Sequence, residues 1–318
     1  MVRWFGGVAP IKLTTMALTA FTLAMPALAA DSAPKLRHGY VDNRYGQLHY
    51  SIAQPAGGST KTTMVLLHQS PNSSVEYDAL VVELGKDRTT IAFDTPGHGR
   101  SDGPETQPKL EDYALAIAEG LKNLGYSDTK PVDVFGNHTG SRVATELAVN
   151  NPKMVRHVML GLSPYALIDD SLSMKLLAEV PHPKSGGELF EKYCKSLLPR
   201  AAAQNKTALK DPIWVNIAVD SIRNNVRQEY GHAAAFEYGP RFKARLLGLT
   251  QPVLMLAIDD PADNYQGGTT ALGMSQKLKP QLTKSPRVEI LADNFHNDSF
   301  YGRPKDIADG FRKFVDAK

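Results

Sequence analysis

The stretch VDVFGNHTGSR, from Val132 to Arg142, decides the fold. An apolar run typical of a strand ends in Gly-Asn-His-Thr-Gly, and a helical pattern follows at once over Ser141–Val149. A strand, a glycine-flanked turn and a helix together form an elbow that exposes the side chain at its tip. The residue at this tip is His138. The pattern therefore predicts a tight turn that presents an imidazole to a pocket.

Short apolar runs alternate with helical stretches along most of the chain. This alternation predicts a mostly parallel central sheet flanked by helices on both faces, an α/β fold. The first two runs are typical of a hairpin-like start. The predicted strands are Gly39–Val41, Leu48–Ile52, Thr63–Leu67, Thr89–Phe93, Val132–Phe135, Val158–Leu162, Pro252–Ile258 and Val288–Leu291. The predicted helices are Tyr77–Lys86, Leu110–Leu124, Ser141–Val149 and Asp306–Val315.

The alternation stops between about Tyr165 and Gly248, where the pattern is mostly helical, with PHPKSGG (Pro181 to Gly187) as a predicted loop. We therefore predict an α/β core over residues 30–164 and 249–318, with a helical cap inserted at residues 165–248. An insertion at this point would cover the carboxyl ends of the strands, where ligands bind in open parallel sheets.

The N-terminus has the features of a cleavable signal peptide. Arg3 and Lys12 supply positive charge, the uncharged stretch Leu13–Ala30 follows, and Ala27-Leu28-Ala29 is a small-x-small cleavage pattern. We expect residues 1–29 to be removed and the protein to be periplasmic or secreted. The alternative is a short membrane anchor. After removal of the signal, no stretch is apolar for long enough to predict stable membrane insertion.

Charge and cysteine usage exclude several classes of protein. Without Arg3 and Lys12, the 36 basic residues fall to 34 against 33 acidic ones. No basic patch is interleaved with aromatic residues, so nothing predicts nucleic-acid binding. Cys194 is the only cysteine, which leaves packing rather than disulfides to stabilise the core. The expected partner is a small-molecule substrate, and the sequence does not indicate an oligomeric state.

Five segments, in this order, resemble the α/β-hydrolase fold family. They are LLHQSP (Leu66–Pro71), DTPGHGRSDGP (Asp94–Pro104), GNHTG (Gly136–Gly140), PVLMLAIDDPAD (Pro252–Asp263) and ILADNFHND (Ile290–Asp298). The pairing of LHQSP with GNHTG is similar to a subgroup of that family with histidine in place of the elbow nucleophile. The resemblance covers nearly all of the mature chain, and it implies a cofactor-free enzyme.

The resemblance also implies a set of catalytic residues. His138 stands at the nucleophile position, and His296 matches the histidine that serves as general base and acid. Asp260 matches the acid that orients this histidine, with Asp259 and Asp263 as alternatives because the loop is one residue shorter than expected.

Backbone N–H groups are expected to form an oxyanion hole. In the family pattern, the donors are the N–H groups of Ser70 and Thr139, which would stabilise developing negative charge. His68 is expected to be a buried structural histidine, and His98 to hydrogen-bond within its own turn. Gln69 replaces a glycine that is common in the family, and it would narrow the oxyanion region or add a donor.

An imidazole at the elbow is compatible with four functions. The leading prediction is an exported hydrolase that cleaves an ester or related bond in a small apolar substrate, with His138 as nucleophile. His138 as a water-holding general base is the second, and it would suit a hydrolase or a lyase. A zinc site with His296 and a carboxylate is the third, although no metal is expected. A small-ligand-binding protein without the catalytic serine is the fourth. Trp214, Phe236 and Tyr238 would line the pocket or belong to the core.

Overall fold

The computed structural model describes residues 34–161, 170–180, 182–197, 212–258, 270–295 and 299–317. The predicted signal peptide lies outside these ranges. Among the described residues, no helix has both the length and the apolar character needed to cross a membrane.

Eight strands form one sheet in the order β1-β2-β4-β3-β5-β6-β7-β8. The pairs β1/β2 and β2/β4 are antiparallel, and all other pairs are parallel. The predicted hairpin start and parallel sheet are both confirmed. The strands are β1 (Arg37–Asn43), β2 (Gly46–Ala53), β3 (Thr63–Leu67), β4 (Thr90–Phe93), β5 (Val132–Asn137), β6 (Val155–Gly161), β7 (Val253–Ile258) and β8 (Val288–Phe295).

Helices cover both faces of the sheet, because its central strands carry apolar side chains on both faces. Strand β3 is buried along its whole length, and its residues alternate between two apolar clusters. Val65 and Leu67 face one cluster, whereas Met64 and Leu66 face the other. The first cluster includes residues of α2 (Leu110–Asn123), α3 (Thr139–Asn150) and α9 (Ala271–Leu278). The second includes residues of α1 (Asp78–Leu84) and α11 (Pro304–Val315), and a short helix, α10 (Ser299–Gly302), lies between β8 and α11.

The described residues between β6 and β7 are mostly helical. The helices are α4 (Asp170–Glu179), α5 (Gly186–Lys192), α6 (Pro212–Arg223), α7 (Arg227–Glu237) and α8 (Gly239–Leu246). They lie within the segment predicted to be an inserted cap, and we call them the cap helices. The exact boundaries of the cap remain a prediction.

Several helical segments differ from the prediction, and the short helix α10 was not predicted. Gly186 and Gly187 were expected in a loop, but α5 begins at Gly186 because Ser185 caps it by accepting the N–H of Glu188. Helix α9 was not predicted. Thr270 caps it in the same way, through the N–H of Gly273.

Candidate active site

His138 lies at the tip of the turn between β5 and α3. Its φ is 45° and its ψ is −110°, a conformation that costs a non-glycine residue roughly 1–3 kcal/mol. The His138 N–H donates to the carbonyl oxygen of Gly161 at the end of β6 (2.8 Å), and the His138 carbonyl accepts the N–H of Ser141 (3.0 Å). Hydrogen bonds on both sides therefore hold the strained turn, which has the shape expected of an elbow.

The two glycines of the turn are required by close backbone approaches. A Cβ on Gly136 would lie 2.1 Å from the carbonyl oxygen of Gly140, which is shorter than any allowed van der Waals contact. A Cβ on Gly140 would overlap the carbonyl oxygens of Leu67 and His68. The elbow is thus packed directly against the segment that follows β3, and the structure brings GNHTG and LHQSP together.

The imidazole of His138 is neutral near pH 7. Burial lowers the pKa of His138 to about 3, and the charges of Arg142 and His232 act in the same direction. One ring nitrogen is therefore unprotonated over the whole physiological pH range, as nucleophilic attack requires.

Arg142 places a buried cation one helical turn beyond His138. Its side chain donates to the carbonyl oxygen of His138 (3.4 Å), and its guanidinium carbon lies 5.0 Å from the ring centroid of Phe242 on α8. Arg142 thus connects the elbow helix to the cap helices. Arg142 was not predicted as part of the site, although its position four residues after His138 on a helix was a usable signal.

His68 is a structural histidine, as expected. Its Nδ1 lies 2.8 Å from the carbonyl oxygen of Gln69, and its Nε2 accepts the N–H of Thr95 (2.9 Å). These bonds assign the proton to Nδ1, and burial lowers the pKa of His68. The ring therefore joins the segments that follow β3 and β4.

Glu76, which was not predicted from the sequence, holds the same loop through hydrogen bonds. Its carboxylate accepts the N–H of Gln69 (3.1 Å) and the side-chain amide of Asn72. Burial raises the pKa of Glu76 to about 7, although hydrogen bonds from Asn72 and other neighbours oppose the shift. Because the N–H of Gln69 is bonded to Glu76, Ser70 stays the expected oxyanion donor of this segment.

Ser70 lies between the loop and the cap helices. It is buried, its peptide bond to Pro71 is cis, and its hydroxyl lies 3.3 Å from Nε2 of His98. A Cβ on Gly231 of α7 would lie 2.2 Å from the Ser70 hydroxyl and 2.8 Å from the His98 ring. Helix α7 therefore packs directly onto Ser70 and His98.

The turn after β4 is organised by Asp94. Its carboxylate accepts the N–H groups of Ser74 (2.7 Å) and Arg100 (2.8 Å) and contacts Nδ1 of His49 (2.8 Å). Although burial opposes ionisation, these contacts lower the pKa of Asp94 to about 2. Nδ1 of His98 lies 3.1 Å from the carbonyl oxygen of Pro96, so His98 bonds within its turn as expected.

The predicted acid and general base lie outside the described residues. This applies to Asp260, to its alternatives Asp259 and Asp263, and to His296. The strands that lead to them are described, and Ile258 at the end of β7 pairs with Phe295 at the end of β8. Both strands run parallel to β5, so they end at the same edge of the sheet as His138.

Two of the three aromatic candidates for the pocket are described. Tyr238 is buried and donates to the carboxylate of Glu146, so it belongs to the core. Phe236 is partly buried and stacks on His232, with ring centroids 6.3 Å apart. The side chain of Trp214 lies outside the described part of the chain.

Other features of the described residues do not add to this site. Within those ranges, no cluster of three or more His, Cys, Asp or Glu residues could hold a metal ion. An open cleft lined by Lys61, Thr63 and Tyr126 lies at the amino ends of the strands. This cleft is therefore at the edge of the sheet opposite His138.

The fold and the elbow define the class of protein. The family described as alpha/beta hydrolase fold matches residues 62–302, which is most of the chain. This protein therefore belongs to the α/β-hydrolase fold family.

Two proteins of known name are similar to this chain in sequence. The chain is 32% identical over 291 residues to 2-(acetamidomethylene)succinate hydrolase from Mesorhizobium japonicum, covering 86% of this chain and 93% of that protein. It is 29% identical over 147 residues to epoxide hydrolase 3 from Xenopus tropicalis, covering 45% of this chain and 38% of that protein.

Solved structures support the same fold. A hydrolase from Pseudomonas aeruginosa PA01 superposes with a TM-score of 0.65 at 16% identity, covering 88% of this chain and 99% of the other. The enol-lactonase from Burkholderia xenovorans LB400 gives a TM-score of 0.62 at 16% identity, with 88% and 100% covered. At this level of identity, the similarity establishes the fold alone.

Proposed function

We propose that this protein is a hydrolase that cleaves an ester or related acyl bond in a small substrate, with His138 as the nucleophile. The observation that carries the proposal is the neutral imidazole of His138 at the tip of a strained elbow. Backbone strain of this kind persists where the surrounding structure enforces it, and it is concentrated at functional sites.

The properties of His138 favour attack over general-base catalysis. A general base works best when its pKa lies near the working pH. With a pKa lowered to about 3, His138 accepts a proton poorly. The same low basicity makes imidazole a good leaving group, so an acyl group on His138 would be transferred readily to water.

The relatives support hydrolysis of an acyl bond in particular. The relative from Mesorhizobium japonicum is named a 2-(acetamidomethylene)succinate hydrolase, and the similarity extends over most of both chains. Epoxide hydrolases share less of the chain. We therefore propose a small ester or amide as the substrate.

Four further groups complete the proposed machinery. The N–H groups of Ser70 and Thr139 would donate to the oxyanion that forms when His138 attacks a carbonyl. His296 would protonate the leaving group, oriented by Asp260. The packing of the elbow against the segment after β3 supports the oxyanion part of this assignment.

Ester hydrolysis by matched variants tests the proposal. p-Nitrophenyl acetate and butyrate are offered to wild type, His138→Ala and His182→Ala. His182 is exposed, so His182→Ala corrects for the slow hydrolysis that any surface imidazole supports. We expect His138→Ala to lose turnover and His182→Ala to retain it. Equal activity in all three would refute the role of His138, and an inert wild type would favour a ligand-binding protein.

Mass spectrometry separates the two routes for His138. A rapid acid quench followed by intact-mass analysis should reveal one added acetyl group in wild type and none in His138→Ala. Turnover without an adduct would favour the general-base route and, with it, lyase-type chemistry.

Export is the last part of the proposal. The signal pattern ends at Ala29, so the mature protein should begin at Ala30. N-terminal sequencing of protein recovered from the periplasm or the medium checks this. An intact Met1 in membrane-bound protein would indicate an anchor instead.

A further inference from the structure

A second histidine lies on the cap helix α7, next to the residue that packs on Ser70 and His98. His232 lies on α7 and is partly exposed, and its Nδ1 lies 3.0 Å from Oε2 of Glu229. The carboxylate of Glu229 is buried, and its other oxygen accepts the hydroxyl of Tyr193. Burial opposes ionisation, but these bonds hold the pKa of Glu229 below its usual range. The pair is thus an imidazole oriented by an ionised carboxylate.

The position of His232 follows from the residue before it. Gly231 packs so closely on Ser70 and His98 that a Cβ there would overlap both side chains. Helix α7 is therefore fixed on the loop that carries the proposed oxyanion donor, and His232 follows directly. Burial is the main cause of the low pKa values of His98 and His138, and the charge of His232 acts in the same direction on both.

We propose that His232, oriented by Glu229, is an acid–base residue of this pocket that acts in the hydrolysis of the acyl group on His138. With Nδ1 directed to Glu229, Nε2 is the nitrogen that serves the reaction. The inference rests on the proposed function, because it needs an acyl group to be released.

The proposed step is balanced in atoms and charge. Attack by the neutral imidazole leaves the acyl group on His138 as an N-acylimidazolium, because the second ring nitrogen keeps its proton. The oxygen of a water molecule bonds to the acyl carbon while the bond from that carbon to the His138 nitrogen breaks, and the electron pair returns to His138, which leaves as neutral imidazole. The proton of the water moves to Nε2 of His232, and the Glu229 carboxylate stabilises the resulting imidazolium. Because His232 is partly exposed, it then returns the proton to solvent.

His138 cannot supply this base itself. Its nitrogen is occupied by the acyl group at this stage, and its low pKa makes it a weak base in any case. A separate base is therefore needed to activate water, and His232 follows the residue that packs on the proposed oxyanion loop.

Transient kinetics with p-nitrophenyl acetate test the inference. We expect His232→Gln to retain the rapid release of the first p-nitrophenolate and to lose steady-state turnover by about 100-fold or more, the usual contribution of a general base. Acetyl-enzyme should then accumulate on His138. Glu229→Gln should cause a smaller loss and change the pH profile, because Glu229 acts by positioning His232. His182→Gln is the matched control, since that histidine is exposed and distant in sequence from the pair.

The outcomes separate this inference from the proposed function. Normal steady-state turnover in His232→Gln, with turnover lost in His138→Ala, overturns the role of His232 and leaves that of His138. Loss in His232→Gln with full activity in His138→Ala overturns the nucleophilic role of His138 and, with it, the deacylation step assigned to His232. Nitrogen NMR of the His232 ring reports which ring nitrogen carries the proton, and a purely structural role of His232 would not require a particular tautomer. A protonated Nδ1 that depends on Glu229 supports the pair, and a protonated Nε2 overturns it.

Discussion

The carbonyl oxygen of Leu67 lies 2.0 Å from the position that a Cβ on Gly140 would occupy. Leu67 is the last residue of β3, and Gly140 is in the first turn of the helix that follows the elbow. This contact joins the two segments that carry the proposed oxyanion donors. Because both partners are backbone, neither can move aside as the end of a flexible side chain could.

Gly140→Ala is therefore expected to destabilise the protein strongly. Overpacking usually costs about 1–3 kcal/mol, and a clash with backbone belongs at or above the upper end of that range. Urea unfolding measures the free energy of unfolding. Gly57→Ala is the matched control, because a Cβ there meets nothing within 4 Å. Equal stability of the two variants would show that the elbow and β3 separate easily.

Serine at position 138 tests whether the rest of the site is complete. The elbow would present its hydroxyl where the family places its nucleophile, and His296 with Asp260 would activate it. We expect His138→Ser to hydrolyse p-nitrophenyl esters through an acyl-serine that is more stable than the acyl-imidazole. Intact-mass analysis would detect that adduct. If His138→Ser is as inactive as His138→Ala, the assigned acid and base are wrong.

Much of the fold could be predicted from the sequence because it depends on local patterns. Buried parallel strands form continuous apolar runs, and the two glycines that the elbow requires can be identified directly in the sequence GNHTG. Long-range packing is not visible in this way. Gly186 begins a helix where glycine usually ends one, and its α-carbon packs so closely on α6 that a Cβ would lie 2.2 Å from the carbonyl oxygen of Ser221.

The same limit applies to the candidate site. The positions of His138, Ser70 and Thr139 in the fold were predictable because each lies in a motif of contiguous residues, whereas their catalytic roles stay predictions. Glu76 and His232 were not predictable, since each acts on a loop or pocket distant in sequence. Their importance depends on burial and on which face of a helix meets the core, and neither can be read from the residue type alone.

Removal of the Arg142 charge should make His138 easier to protonate. After burial, this charge is the largest contribution to the low pKa of His138. A positive charge disfavours imidazolium, so Arg142→Gln should raise the pKa of His138. NMR titration of the imidazole ring measures it. Arg241→Gln is the control, because Arg241 also lies over a ring, that of Tyr238, but is exposed. An unchanged pKa of His138 in Arg142→Gln would show that the guanidinium of Arg142 does not act on the His138 ring.

Glu76 should make the stability of the protein decrease as pH rises. Burial raises its pKa from 4.5 to about 7, so the folded state binds more protons than the unfolded state between these values. The favourable contribution of the protonated form is fully present below about pH 4.5 and is lost as pH rises through about 7. A shift of this size corresponds to about 3 kcal/mol.

Glu76→Gln removes that dependence while keeping an acceptor for the N–H of Gln69. Relative to wild type, its free energy of unfolding should therefore improve by up to about 3 kcal/mol between pH 4.5 and pH 8. Urea unfolding at several pH values measures the difference. Glu179→Gln is the control, because Glu179 is exposed on α4 and should follow wild type at every pH. A constant difference between Glu76→Gln and wild type would mean that the pKa of Glu76 is the same in the folded and unfolded states, with burial fully offset by the hydrogen bonds of the loop.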